Sequence, residues 1–210
     1  MNSTVGKVGA GVTGLAVLCF AISMIFGFFT DTIFTSCVFS MFIALGFVPF
    51  AGALAAVHPE RRAAGMAAVA FAAVYAVIIL LVYFAEVTTV RMNAGLSAEA
   101  LSLISYGQAG SLFFNYDLLG YGMMALSTFF AGWMLQPKDR GDKALRALLM
   151  IHGVFFLSGL IMPMLPVFTE GTQGMDLMGT LILEFWCVYF LPVCILGWRY
   201  FARASRQVRA

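Results

Sequence analysis

Charge is what this chain has least of. Only 10% of its 210 residues are Asp, Glu, Lys or Arg, against about 25% in an average soluble domain. Twelve Lys and Arg against ten Asp and Glu leave a net charge of +2. That is too little for the basic patch of a nucleic-acid binder, so no nucleic-acid partner is expected. There are two histidines, and the four cysteines show no Cys-x-x-Cys spacing. They point to no disulfide or redox site and read as small apolar residues. No phosphate-binding loop, nucleophile elbow or zinc-protease helix motif occurs, so no nucleophile–base pair can be named. What fills the sequence is apolar: 62% of residues, against about 45–50% ordinarily. This excludes a disordered chain and exceeds what one soluble core of this size hides. The solvent this sequence calls for is a bilayer.

Six apolar runs stand out, at 8–30, 33–57, 64–86, 112–135, 146–168 and 178–200, each near the length of about 20 residues that spans a membrane. The first is too long for a signal-peptide core and lacks a convincing cleavage site, so it is expected to be a retained helix. The expected fold is all-α: a single transmembrane domain over 1–210, built as a six-helix bundle. With the N-terminus inside, the inner segments hold Lys7, Arg61, Arg62, Lys138, Arg140, Lys143, Arg146, Arg199, Arg203, Arg206 and Arg209, eleven of the twelve cations. The outer side holds only Arg91, with Asp31, Glu86, Glu99, Glu170 and Asp176. The positive-inside rule then predicts both termini in the cytoplasm and an inner (plasma) membrane location. An even number of spans agrees.

The outer connection 87–111 carries a helix start at Ser97, with Leu101 and Ile104 on one face. Ala64, Ala68, Ala72 and Ala76 in the third span, and Gly6, Ala10 and Gly14 in the first, recur every four residues. Such stripes let helix backbones approach closely, and they read as packing seams. Pro49, Pro163, Pro166 and Pro192 interrupt the spans and favour kinks, with 162–166 the most distorted stretch.

The fourth span is the most informative. Asp117, Gly120, Tyr121, Met124, Ser127, Thr128 and Ala131 share one small or polar face, which suits the bundle interior. Leu118, Leu119, Met123, Leu126, Phe129, Phe130 and Trp133 form the other, which suits lipid. The sixth span carries Glu184, with Thr180, Cys187 and Leu191 on its side. Counting from the outer ends at 1.5 Å per residue puts both carboxyls roughly 7–9 Å deep. A carboxylate there is costly unless a proton, a cation or hydrogen bonds compensate it. Arg91 is the cation at that end. The expected ligand- or ion-binding cluster is therefore Glu86, Arg91, Asp117, Tyr121 and Glu184. Its alternative is a structural ion-pair network joining three spans.

His58 and His152 both fall near the inner ends of spans, which allows bis-imidazole haem ligation. Interfacial or hydrogen-bonded histidines are the simpler reading, and no cofactor or metal is expected. Arg199, Arg203 and Arg206 share a face of the basic tail and suit anionic lipid headgroups.

Three stretches, Val82–Arg91, Asn115–Gly122 and the aromatic sixth span with its basic tail, together resemble small six-span bacterial integral membrane proteins. No established activity attaches to that group, so the resemblance implies topology and lends no function. The functional expectation is an outward-facing polar pocket for small-solute or proton/cation-linked transport or binding. The alternative is a non-catalytic membrane subunit or scaffold, assembling with itself or a partner membrane subunit. A membrane enzyme ranks third.

Overall fold

The computed structural model describes residues 1–93, 95–165 and 175–207, with side chains for all of these except 175–176 and 205–207. Among the described residues there is no strand. Eight α-helices follow in chain order: α1 (Asn2–Phe26), α2 (Ile33–Ala56), α3 (Arg62–Ala85), α4 (Ala98–Ile104), α5 (Leu112–Met134), α6 (Arg140–His152), α7 (Phe155–Ile161) and α8 (Met175–Gln207).

Among the described residues, five helical runs are long and apolar enough to cross a membrane: α1, α2, Pro59–Val90, Arg140–Met164 and Leu177–Ala204. The protein is thus a helical bundle of membrane type. The fourth expected span, α5, is 23 residues long but does not meet the apolar criterion. Asn115, Asp117, Ser127, Thr128 and three glycines dilute its apolar content. It is enclosed by others, packed against α2, α3, α4, α6 and α7.

The small-residue stripes are buried seams. Gly6 lies against the Phe201 ring and Gly14 against Cys194, so this face of α1 meets α8. The tightest approach to α2 uses the neighbouring position: a Cβ on Gly9 would lie 2.6 Å from the Phe50 amide nitrogen. Ala68 and Ala72 are fully buried, and Ser127 of α5 donates a hydrogen bond to the Ala68 carbonyl at 2.7 Å.

Three expectations need correction. Helix α1 starts at Asn2 rather than 8, and the fifth run starts at Arg140 rather than 146. Asp139 caps that earlier start by accepting the Asp142 N–H at 2.9 Å, which satisfies an otherwise free donor. The fifth run also breaks at Gly153 and Val154, before its prolines, into α6 and α7, followed by a 3-10 turn at Met162–Met164; Pro166 lies outside the described residues. This break lets α7 lean over the expected lipid face of α5. A Cβ on Gly159 would lie 2.6 Å from the Leu118 carbonyl oxygen. Leu118, Leu119, Met123, Leu126, Phe129 and Phe130 are accordingly half-buried, and of that face Trp133 alone is exposed.

The helix at Ser97 forms as read. Its hydroxyl accepts the Ala100 N–H at 3.2 Å. Glu99 is held below the ordinary carboxylate range by a backbone N–H and then the Ser97 hydroxyl.

One end of the bundle is tied by polar contacts among the connections. Tyr200 meets His58 Nε2 at 2.9 Å, and Gln136 donates to Glu60 at 3.2 Å. Arg203 pairs with Asp139 and with the buried Asp142. Residues 58–60, 136–142 and 200–203 therefore meet at one end.

Candidate functional site

Asp117 sits in the second turn of α5, whose start is fixed by Ser111 accepting the Phe114 N–H at 3.0 Å. Only 5% of it is exposed. Its carboxylate interacts with the Tyr83 hydroxyl. Cys37 of α2, Tyr75 and Tyr83 of α3, Tyr106 after α4 and Tyr121 of α5 all lie within electrostatic reach of its charge. The rings form a connected wall. Tyr75 and Tyr121 have centroids 5.6 Å apart, Tyr83 and Tyr106 4.9 Å.

This wall is unusual in what it leaves unpaired. Asp117 Oδ1, the Tyr75 and Tyr121 hydroxyls and Ser40 Oγ are all buried without a hydrogen-bond partner. The Ser40, Tyr75 and Tyr83 hydroxyls all face that of Tyr121. A buried polar group left unsatisfied costs about 1–3 kcal/mol. Four such atoms lie close together between α2, α3 and α5, a chemistry that suits water or a small positive ligand.

Of the five residues expected to cluster, the structure brings Asp117 and Tyr121 together, with Glu86 at their edge. Glu86 is buried in a π-helical turn, Glu86–Val90, that continues α3. Its Oε2 accepts the Tyr106 N–H at 2.8 Å, straps the connection after α4 onto α3 and holds the Tyr106 ring over Tyr83. Cys37 feels both Glu86 and Asp117. A π-turn shifts a helix face and recurs at functional sites.

Arg91 is elsewhere. It is exposed, its guanidinium lies 4.5 Å above the Phe34 ring, and among the described residues it forms no ion pair. Glu184 is half-buried on α8 beside Cys187, with Oε1 unpartnered. Among the described residues no hydrogen bond or charge interaction links it to Asp117. Tyr121 and Trp186, edge to face at 5.3 Å, occupy the meeting of α5 and α8.

A second polar cluster lies deeper in α5. His152 is fully buried at the end of α6. Trp186 Nε1–H donates to its Nε2 at 2.9 Å. Indole nitrogen is a donor only, so Nε2 is the acceptor and the proton sits on Nδ1. Nδ1 then donates to Thr128 Oγ1 at 2.8 Å, and Thr128 donates onward to the Ala125 carbonyl at 2.8 Å. The imidazole is neutral and locked in one tautomer, boxed by Phe155, Tyr189 and Phe190 with centroids 5.1–5.9 Å away. His58 pairs instead with Tyr200, fourteen residues further along α8 than Trp186, about 21 Å at helical rise. The two imidazoles do not approach one another, which removes the bis-imidazole geometry. Among the described residues no group of three or more His, Cys, Asp or Glu is placed to hold a metal.

Sequence reasoning passed over Ser40, Tyr75 and Tyr106. The available signal was a tyrosine in an apolar run, since a buried phenol needs a hydrogen-bond partner. Of the basic tail, Arg199 is exposed, while Arg203 is engaged by Asp139 and Asp142. The Arg206 side chain lies outside the described residues.

No family model, curated protein or solved structure matches this chain.

Proposed function

We propose that the chain is a six-span, plasma-membrane protein that binds a proton or small cation at Asp117 and exchanges it with the outer side. The observation that carries this reading is the buried Asp117 Oδ1, which has no hydrogen-bond partner and lies among the Tyr75, Tyr83 and Tyr121 side chains, with Arg91 engaged elsewhere. A carboxylate in apolar surroundings needs a compensating positive charge. With no arginine or lysine there, a proton or a small cation supplies it.

Clefts of solute size lie elsewhere. One of about 410 Å³ runs along α3 and α5 past Leu81, Phe84, Phe113 and Tyr116, and a second lies at the start of α3. Neither is lined by Asp117, Tyr121 or Glu184. Counting α5 as a span rests on its 23 residues, about 34 Å of helix, and on its enclosure by its neighbours. The cytoplasmic placement of both termini rests on the one-sided Lys and Arg distribution. The test is proton flux into proteoliposomes under an imposed potential, followed with an internal pH dye. Wild type conducts or exchanges protons and Asp117→Asn does not. Equal flux in both removes Asp117 from the mechanism.

The alternative is a membrane subunit or scaffold. The observation favouring it is the tightly tied end, where Arg203 holds two aspartates. Absence of proton or cation flux together with co-purification of a stoichiometric membrane partner, or of a second copy, would select it.

A further inference from the structure

We propose that the cleft at the start of α3 seats an anionic phospholipid, its phosphate on Arg61 and Arg62 and an acyl chain along the aromatic seam of α3 and α5. The cleft has a volume of about 460 Å³ and is lined by Glu60, Arg61, Arg62, Ala64, Phe130 and Trp133 among others. Pockets of this order hold a ligand headgroup.

Its charge is unbalanced by construction. Glu60 is the neighbouring carboxylate, and its Oε1 is taken by His58 Nδ1 and Gln136 Nε2, each at 3.2 Å. Arg61 lies within electrostatic reach of Glu60, but among the described residues neither Arg61 nor Arg62 forms an ion pair. Both are exposed. Two guanidiniums with free donor forks suit a phosphate oxyanion.

The opposite wall is flat and apolar. Phe130 stacks on Trp133 with centroids 6.1 Å apart and planes at 14°. Phe71 stacks on the other side of the seam, 5.8 Å from Phe130 at 12°. A ladder of near-parallel rings leads away from the arginines toward the middle of α3. A soluble anion uses the arginines and leaves the ladder bare. A neutral lipid uses the ladder and leaves two guanidiniums unpaired. An anionic phospholipid matches both, and Trp133 lies where a tryptophan prefers to be, at the membrane–water boundary. Arg203, expected to meet headgroups, is occupied by its aspartates.

The experiment places the purified protein in nanodiscs of phosphatidylglycerol and phosphatidylcholine in equal parts and counts the lipids retained on release by native mass spectrometry. Wild type retains phosphatidylglycerol preferentially. In Arg61→Gln/Arg62→Gln that preference falls by about tenfold or more, with the same thermal midpoint in pure phosphatidylcholine. Trp133→Ala lowers retention with the charges intact, and Arg199→Gln leaves it unchanged. Should the double variant fold poorly, Glu60→Gln raises retention by weakening the one competing carboxylate; unchanged or lower retention there overturns the proposal. So does wild-type preference in the double variant, an equal loss in Arg199→Gln, or no effect of Trp133→Ala. Displacement of the lipid by inorganic phosphate marks a free-anion site and overturns it too.

Discussion

Two polar clusters share helix α5, eleven residues apart, and they solve opposite problems. At Thr128 every strong donor and acceptor is used: Trp186 to His152, His152 to Thr128, Thr128 to the Ala125 carbonyl. At Asp117 and Tyr121 the polar atoms converge with poorer geometry: Asp117 Oδ1 has no partner, and the hydroxyls only face one another. Both clusters are buried and both are walled by aromatic rings. A saturated network fixes three helices in one arrangement, since any movement breaks a bond that nothing nearby replaces. An unsaturated one gains from a guest. The contrast separates a cluster that holds the bundle together from one that, under the proposed function, receives a proton or cation.

Substitution should break this contrast in a definite order. The largest effect belongs to His152→Ala. It removes two buried hydrogen bonds, leaves the Trp186 N–H unpaired and opens a cavity, so thermal stability in detergent should fall by about 3–5 kcal/mol. Next comes Arg203→Ala, which strips the buried Asp142 of its cation and should cost about 3 kcal/mol in the same assay. Third, Ala72→Leu forces extra volume into the α3–α5 seam and should cost about 1–3 kcal/mol, more than Leu126→Phe on the half-buried side of α5. Equal small losses would mean that the alanine stripe is not a close seam. The smallest stability effect belongs to Asp117→Asn, neutral or stabilising because a buried charge is removed, with the proton response abolished. If Asp117→Asn destabilises as much as His152→Ala, the distinction between the two clusters collapses.

Topology sharpens the same comparison from outside. A cysteine placed at Leu103 should react with an impermeant thiol reagent in intact cells, and one at Lys143 should not. The reverse pattern would put the Asp117 end in the cytoplasm.

Much of this was legible in the chain itself. Helical spacing identified the inward face of α5, and the four-residue stripes marked the seams of α1 and α3. Ser97 announced α4. What periodicity does not carry is which helix lies against which. Glu184 and Asp117 look like partners when counted from the outer ends of their helices, yet Tyr121 and Trp186 fill the meeting of α5 and α8. Arg91 looks like their counter-ion, yet it prefers the Phe34 ring one helix away. The lipid face assigned to α5 fails for a similar reason. The Gly153 break turns α7 across it, and a single helix's pattern cannot report a neighbour's bend. Tyr75, Tyr106 and Ser40 come from three separate segments, so only the assembled bundle collects their hydroxyls.

The polarity of α5 has a consequence for how the protein is made. The other long helices are each apolar enough by length and composition to cross a membrane on their own. A segment carrying Asn115, Asp117, Ser127 and Thr128 partitions poorly alone, so under the six-span reading it has to enter in company. The Ser127 bond to the Ala68 carbonyl offers it a protein surface already in place on α3. The segment that becomes α6 and α7 then closes the exposed side. Under that reading, chain order and final packing coincide: α3 precedes α5, α6 and α7 follow it, and all three pack against it.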